Sequence, residues 1–478
     1  LPSGGNQNEV EFVASGTLSN GQAVALKANG QVETISFSGP ASAGSSVVFN
    51  SAAIYFTSAV YDSANGKVVI TYRNDLSGTG YGTAIVGTVS GTSISFGTPV
   101  VFESAQSNYT SATFDSYHDT VVIAYQDAGN SDYGTAIVGS VSGTSISFGT
   151  AVVFESAAIL FTSATFDSNT NRVVIAYRDQ ANSDYGTAIA GLVGGNSISF
   201  GDPAVFESAE TSHISATFDS SANKVVIAYQ DGGNSAYGTA IVGTVNWPDI
   251  NFGTAVVFEN AGSYYASATF DSNSNKVVIA YMDQGNSNYG TAIVGTVSGT
   301  SISFGTAVVF EAGTTNSFSS TFDSNTNKIV IAYKDSDNSQ YGTAIVGTVS
   351  GTSISFGTAV VFETAETQYT ATAFDSNAGK VVIAYKDVGN SNYGASVVFT
   401  SASSNNTDFI GITSAAITSG ASGDIALKGG ISTNQTSLTI GSDYYVQADG
   451  TVSTVTTSPA VKAGTAISAT TLNLMDQL

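Results

Sequence analysis

Apolar and small residues alternate with polar ones along most of this 478-residue chain, in runs of 5 to 11 residues separated by clusters of Asp, Asn, Ser and Gly. In one stretch the runs are SATFD (163–167), RVVIAY (172–177), YGTAIAGLV (185–193) and SISFGDPAVFE (197–207), here strands a, b, c and d, with DSNTN, DQANSD and GGN at their junctions. Two-residue alternation in β-branched and aromatic residues predicts strands, and the separators are turn chemistry. The pattern then recurs: Phe/Tyr-Asp-Ser opens a copy at 61, 114, 166, 218, 270, 322 and 374, spaced 53 residues once and 52 five times. Each copy predicts a four-stranded meander. One such sheet has two apolar faces and cannot bury both alone, whereas seven packed radially bury nearly all of them.

The ends predict how the ring closes. The seventh copy stops after its c strand, YGASVVF (393–399), and lacks a d strand of its own. Residues 35–49, ISFSGPASAGSSVVF, match SISFGTAVVFE apart from an inserted SGPASAG, and they precede the first a strand as a d strand should. The expected fold is all-β: a closed seven-bladed β-propeller over 35–399, with its last blade built from both ends. Residues 1–34 and 400–478 are expected to meet as a small β-domain. Segments 11–35 and 408–431 look alike as strand–turn–strand units, and 437–455 and 460–474 add further strands. Tracing the meander puts this stalk on one face of the ring, together with the a–b and c–d turns. The b–c turns and the d–a connections share the opposite, free face.

Comparing the copies shows which positions change. Strands c and d and the stalk-side turns stay nearly constant, whereas the d–a quartet varies: AIYF (53–56), QSNY (106–109), AILF (158–161), ETSH (210–213), GSYY (262–265), TTNS (314–317) and ETQY (366–369). The residue after the strand-b Tyr also varies, through Arg73, Gln126, Arg178, Gln230, Met282, Lys334 and Lys386. Exposed loops drift, but a ligand-facing surface on a rigid frame diversifies in the same way. The last quartet residue is aromatic in five copies and reads as lining. The candidate binding set is Tyr55, Tyr109, His213, Tyr264 and Tyr369 with Arg73, Arg178, Lys334 and Lys386, because aromatic faces stack on apolar sugar faces while Arg and Lys donate to hydroxyls and carboxylates.

Composition narrows the partners. The chain has no Cys and a net charge of −23, with no Lys/Arg cluster, which argues against nucleic acid and excludes a thiolate metal site or disulfide framework. No apolar run reaches the ~18 residues of a membrane span, and no signal peptide opens the chain. The expected protein is soluble, and its first residue, Leu1, reads as the start of a processed form or of a fragment.

The segment LTIGSDYYVQADGTVST followed by VKAGTAISATTLNL resembles modules of bacteriophage virion proteins of the tail-fibre or appendage class, and FVASGTLSNGQAVALKANGQV looks like the same class. The resemblance covers about 100 residues. It implies a virion or extracellular appendage attached to other virion proteins through its termini, oligomeric with a trimer favoured, displaying the propeller to a host-surface glycan or protein. A purely structural virion or filament component is the alternative.

Catalysis is not expected. DxGNSxYG faintly resembles the Asp-box turn of sialidase propellers, which raises a glycan-processing enzyme as a minor alternative. Sialidases hold a carboxylate with three arginines on one face, and Arg172 here begins strand b at the stalk side. His118 and Trp247 also fall in stalk-side turns, away from His213. No cofactor is expected, with Ca²⁺ left open at Asp127/Asn130/Asp132, Asp179/Asn182/Asp184 and Asp283/Asn286/Asn288, where oxygen ligands share tight turns. The competing reading is that these side chains bond their own hairpin backbone. The recurring Glu103, Glu155, Glu207, Glu259, Glu311 and Glu363 read as a solubility or turn device.

Overall fold

The computed structural model describes residues 8–474 apart from 28, 36, 39, 402, 405–408, 448–449 and 457–460. Residues 1–7 and 475–478 of the expected terminal domain, and Ser36 and Gly39 of the expected closing strand, lie outside the described residues. The chain divides into two compact units, Ser42–Ser401 and the two flanking segments taken together.

Strand b is the centre of each copy in the larger unit. In the second copy, Thr120–Asp127 is buried along its whole length. Both of its faces meet apolar neighbours: Val121, Ile123 and Tyr125 share a core with Val69, Ala84 and Val86 of the first copy, and Val122 and Ala124 share one with Val173, Ile175 and Tyr177 of the third. A strand covered on both sides needs a continuous apolar run, which is what VVIAY supplies. Strand c pairs antiparallel with b on one side and with d on the other. Repeated through the unit, these pairings join 28 strands into one sheet that closes on itself as a ring. The apolar packing closes with it, since Phe49, Ile70 and Tyr72 share a core with Ala373, Val382 and Val398.

The d–a connection is not a loop. Val152–Asp167 is one 16-residue strand whose first half pairs with strand c of the second copy and whose second half pairs with strand b of the third. Strand d is interrupted earlier, between Ser145–Phe148 and Val152. Gly149 stands in that break because the carbonyl oxygen of Asn196, in the next copy, lies 1.7 Å from where a Cβ would be. Only a residue without a side chain admits so close an approach.

The closing strand starts at Ser42, not at Ile35. Ala43 pairs with Phe399 and Ser42 with Thr400, the register that Phe148 and Ser147 take with Gly139 and Ser140. Gly44 N–H donates to the Val398 carbonyl (2.8 Å) as Gly149 donates to Val138 (2.9 Å). Phe49 covers Gly394 as Phe154 covers Gly134, with a ring atom 2.5 Å from the absent Cβ in both. Phe37–Ser38 pairs instead with Ser403–Ser404 in the smaller unit. The match of ISF to ISF is one of letters; ASAG carries the glycine that the geometry requires, so SGPASAG is no insertion.

In the smaller unit the two termini interleave. One five-stranded sheet runs Glu9–Val13, Ser422–Leu427, Phe409–Thr413, Ala23–Leu26, Val32–Thr34. Leu18 and Ile417, at matching places in the two look-alike segments, exchange backbone hydrogen bonds of 2.8 and 2.9 Å. A second five-stranded sheet lies within 431–474. One core spans both sheets, with Ala23, Phe409 and Ile412 joined to Tyr444, Val446, Leu472 and Leu474.

Candidate functional site

The last residue of every quartet has a left-handed backbone: Phe56, Tyr109, Phe161, His213, Tyr265, Ser317 and Tyr369 all have φ between 49° and 54°. Six of these seven carry a ring, and a non-glycine residue costs about 1 kcal/mol or more in this region. The strain falls on a bulge, where pairing with strand b slips between Asn108 and Ser111 and at the same place in the other copies. A bulge re-aims a side chain. Here it turns all seven toward one cavity of about 300 Å³.

The rings touch in sequence around that cavity. Centroids are 5.3 Å apart for Tyr369 and Phe56, 4.8 Å for Phe56 and Tyr109, and 5.3 Å for Tyr109 and Phe161. The arc continues through Phe161 and His213 (5.4 Å) to Tyr265 (4.8 Å). Ser317 leaves a gap between Tyr265 and Tyr369. Burial lowers the His213 pKa to about 4 and raises those of Tyr109 and Tyr369, so all three are neutral at pH 7. After the ring residue, the hydroxyls of Thr57, Thr110, Thr162 and Thr370 donate to the carbonyls of Tyr369, Phe56, Tyr109 and Ser317 respectively, tying neighbouring copies together.

The two variable sets prove to be register partners. The third quartet residue lies directly opposite the residue after the strand-b Tyr, giving Tyr55–Arg73, Asn108–Gln126, Leu160–Arg178, Ser212–Gln230, Tyr264–Met282, Asn316–Lys334 and Gln368–Lys386. The nine candidate residues therefore belong to two circles. Tyr109, His213 and Tyr369 line the cavity, together with Phe56, Phe161 and Tyr265; Tyr55, Tyr264 and the four cations sit in the circle of pairs.

Two of the expected donors are already engaged. Arg178 pairs with Asp184 (2.8 Å) and Glu210 (3.0 Å), and Lys334 pairs with Glu366 (3.4 Å). Arg73 donates to Asn108 (2.7 Å) and Lys386 to Gln368 (3.4 Å), both neutral partners.

The carboxylates considered for Ca²⁺ are directed elsewhere. Asp127 Oδ1 accepts from the backbone of Gly129 and Asn130, Asp179 Oδ1 from Ala181 and Asn182, and Asp283 Oδ1 from Asn286, so each carboxylate caps its own turn. Asp184 is held by Arg178, and Asp132 lies in the αL part of its turn (φ 62°). Among the described residues no three acidic or His groups converge as a metal site.

The recurring Glu is a half-buried hydrogen-bond acceptor rather than a solubility device. Tyr125, Tyr177, Tyr229, Tyr281, Tyr333 and Tyr385 donate to Glu103, Glu155, Glu207, Glu259, Glu311 and Glu363 over 2.8–3.2 Å. Burial, and then the neighbouring Asp179, Asp231, Asp283 and Asp335, raise Glu155, Glu207, Glu259 and Glu311 above their ordinary 4.5. Burial likewise raises Asp127, Asp283, Asp335 and Asp387 above 3.8. The folded chain thus binds more protons than the unfolded chain in the window just above those values, and stability there falls as pH rises. His213 acts oppositely, because its lowered pKa costs stability as pH falls from 6.5 toward 4. In His213→Phe, a residue its own position accepts at Phe56 and Phe161, the melting temperature is expected to rise by a few degrees between pH 7 and 5 in calorimetry. A fall would contradict this assignment.

No family model matches the chain, and no curated protein matches it. Solved structures similar to it include a protein of unknown function from Dyadobacter fermentans, at 10% identity over 62% of this chain and 94% of that one, with a TM-score of 0.45. The SapL1 lectin in complex with alpha methyl fucoside is similar at 12% identity over 68% and 97%, with a TM-score of 0.39. A chain of the Mitotic Checkpoint Complex is similar at 9% identity over 76% and 95%, with a TM-score of 0.48.

Proposed function

We propose that the chain is a non-enzymatic recognition protein, a seven-bladed β-propeller that binds a saccharide on the face carrying the aromatic arc. The observation that carries this reading is the convergence of six rings, each from a different copy, on one open cavity beside a circle of varied pairs that includes four cations. Such rings offer stacking surfaces to the apolar faces of sugars, and the surrounding amides and cations offer hydrogen bonds to hydroxyls. The cost of seven strained backbones at the same place is what a preorganised site would require. The terminal unit is the attachment module of a virion or cell-surface appendage in this proposal, supported by the resemblance of LTIGSDYYVQADGTVST to phage appendage modules.

A saccharide array probed with the fluorescently labelled chain tests the reading. Retention of a restricted set of glycans, competed by the same glycans free in solution, is expected; an array without signal from a correctly folded chain overturns it.

A further inference from the structure

We infer that the junction between the seventh and first copies holds the carboxylate of an acidic saccharide between Arg73 and Lys386. This rests on the saccharide reading and specifies its ligand.

Both cations lie against one ring, the Arg73 guanidinium carbon and Lys386 Nζ each 4.1 Å from the Tyr55 centroid, and Tyr369 stands edge-on to that ring at 5.8 Å. Lys386 is only 5% exposed, and Arg73 Nε is buried with no hydrogen-bond partner among the described residues. Neither cation has a carboxylate within 4.0 Å among those residues, in a chain of net charge −23. Buried charge without a counter-ion is costly, and an anion at this spot relieves it.

The repeat shows that this deficit is local. Arg178 and Lys334 each find an acid at the first position of the next quartet, Glu210 and Glu366. For Arg73 and Lys386 that position holds Gln106 and Ala53. At this junction Asn50 of the closing strand and Asn74 of the first copy also stand where the other copies have Glu and Asp, bonded to each other at 3.3 Å. The acids whose fields reach Lys386 are Glu366 and Asp75, and Glu366 already serves Lys334 (3.4 Å) and Gln368 (2.8 Å). Burial and then Arg73 lower the Lys386 pKa, a penalty that a bound anion would reverse. Arg73 brings a planar fork suited to a carboxylate, Lys386 a point charge, and Tyr55 and Tyr369 ring surfaces for the attached sugar.

The chain contains three arginines, Arg73, Arg172 and Arg178, so their Nε–H resonances can be followed separately in ¹⁵N-labelled protein. Acetate is the first probe. It is expected to shift the Arg73 signal saturably while the ion-paired Arg178 stays in place, and Lys386→Gln should weaken that response about tenfold, the worth of one charge-assisted hydrogen bond. An immobile Arg73 signal, or one that only tracks Arg178, overturns the site. The second probe is an array of uronate- and sialate-bearing glycans beside their carboxyl-reduced counterparts, read with the intact chain, Arg73→Gln and Lys386→Gln. Gln occupies the Arg73 position as Gln126 and Gln230 in other copies, so folding is provided for. Acidic glycans should be favoured about tenfold, and both variants should remove that preference. Equal binding of reduced glycans, unchanged in the variants, refutes the carboxylate site and leaves the recognition face standing. Acetate binding without any glycan binding supports the anion site and refutes the saccharide reading.

Discussion

Replacing Gly149 with Val should destabilise the ring by about 3 kcal/mol, whereas Gly357→Val should cost less than about 1 kcal/mol, although the two glycines occupy the same place in the second and sixth copies. At Gly149 a Cβ would meet the Asn196 carbonyl at 1.7 Å. Gly97, Gly253 and Gly305 face an equally close backbone carbonyl at 1.8 Å, while the nearest atom to a Cβ at Gly357 is the Val346 oxygen at 3.8 Å. The difference arises because the seventh copy ends at Thr400 and has no c–d turn to press on Gly357. Backbone cannot move aside as a side-chain tip can, so the first substitution must separate two copies. Thermal melts of both variants check this, and equal melting temperatures would contradict the packing described.

The second large effect is expected from 12 residues. A fragment of residues 42–401 contains the whole closed sheet, while 54–401 lacks the strand segments that pair with Tyr393–Thr400. The longer fragment should stay monomeric and melt in one transition. The shorter one exposes an unpaired strand edge and uncovers Gly394 and Val398 where Phe49 packs, so it should aggregate or melt far lower. Light scattering and calorimetry of the two distinguish a ring closed by the N-terminal strand from a sheet that does not need it.

Much of this could be read from the residue pattern. Repeat length, strand order and the contribution of both chain ends follow from period-two runs and from the missing seventh d strand, because strand b is buried on both faces and tolerates little but Val, Ile, Ala and Tyr. Quartets such as QSNY and ETSH have turn composition and so resemble a loop, while the actual interruption sits at Gly149. There a neighbouring carbonyl, distant in sequence, makes the demand. The third and fourth quartet positions are not separable in the sequence because alternation alone does not reveal a bulge, which puts adjacent residues into different circles. The engaged state of Arg178 and Lys334 was present in the sequence: Glu210 and Glu366 stand one repeat further on, but only the strand register shows that these positions meet.

The central claim is that recognition belongs to the face with the aromatic arc. Tyr109→Ser, Tyr265→Ser and Tyr369→Ser in one chain remove three rings while keeping a side chain that Ser317 shows this backbone accepts. Asn169→Ser with Ser298→Ala alters the turns at the other ends of the strands and serves as the control. Binding of both chains to the glycans retained by the unaltered protein is the deciding measurement. The account predicts that the triple variant loses binding while still melting cooperatively, and that the control binds as the parent does. Full binding by the triple variant, or loss confined to the control, would contradict it.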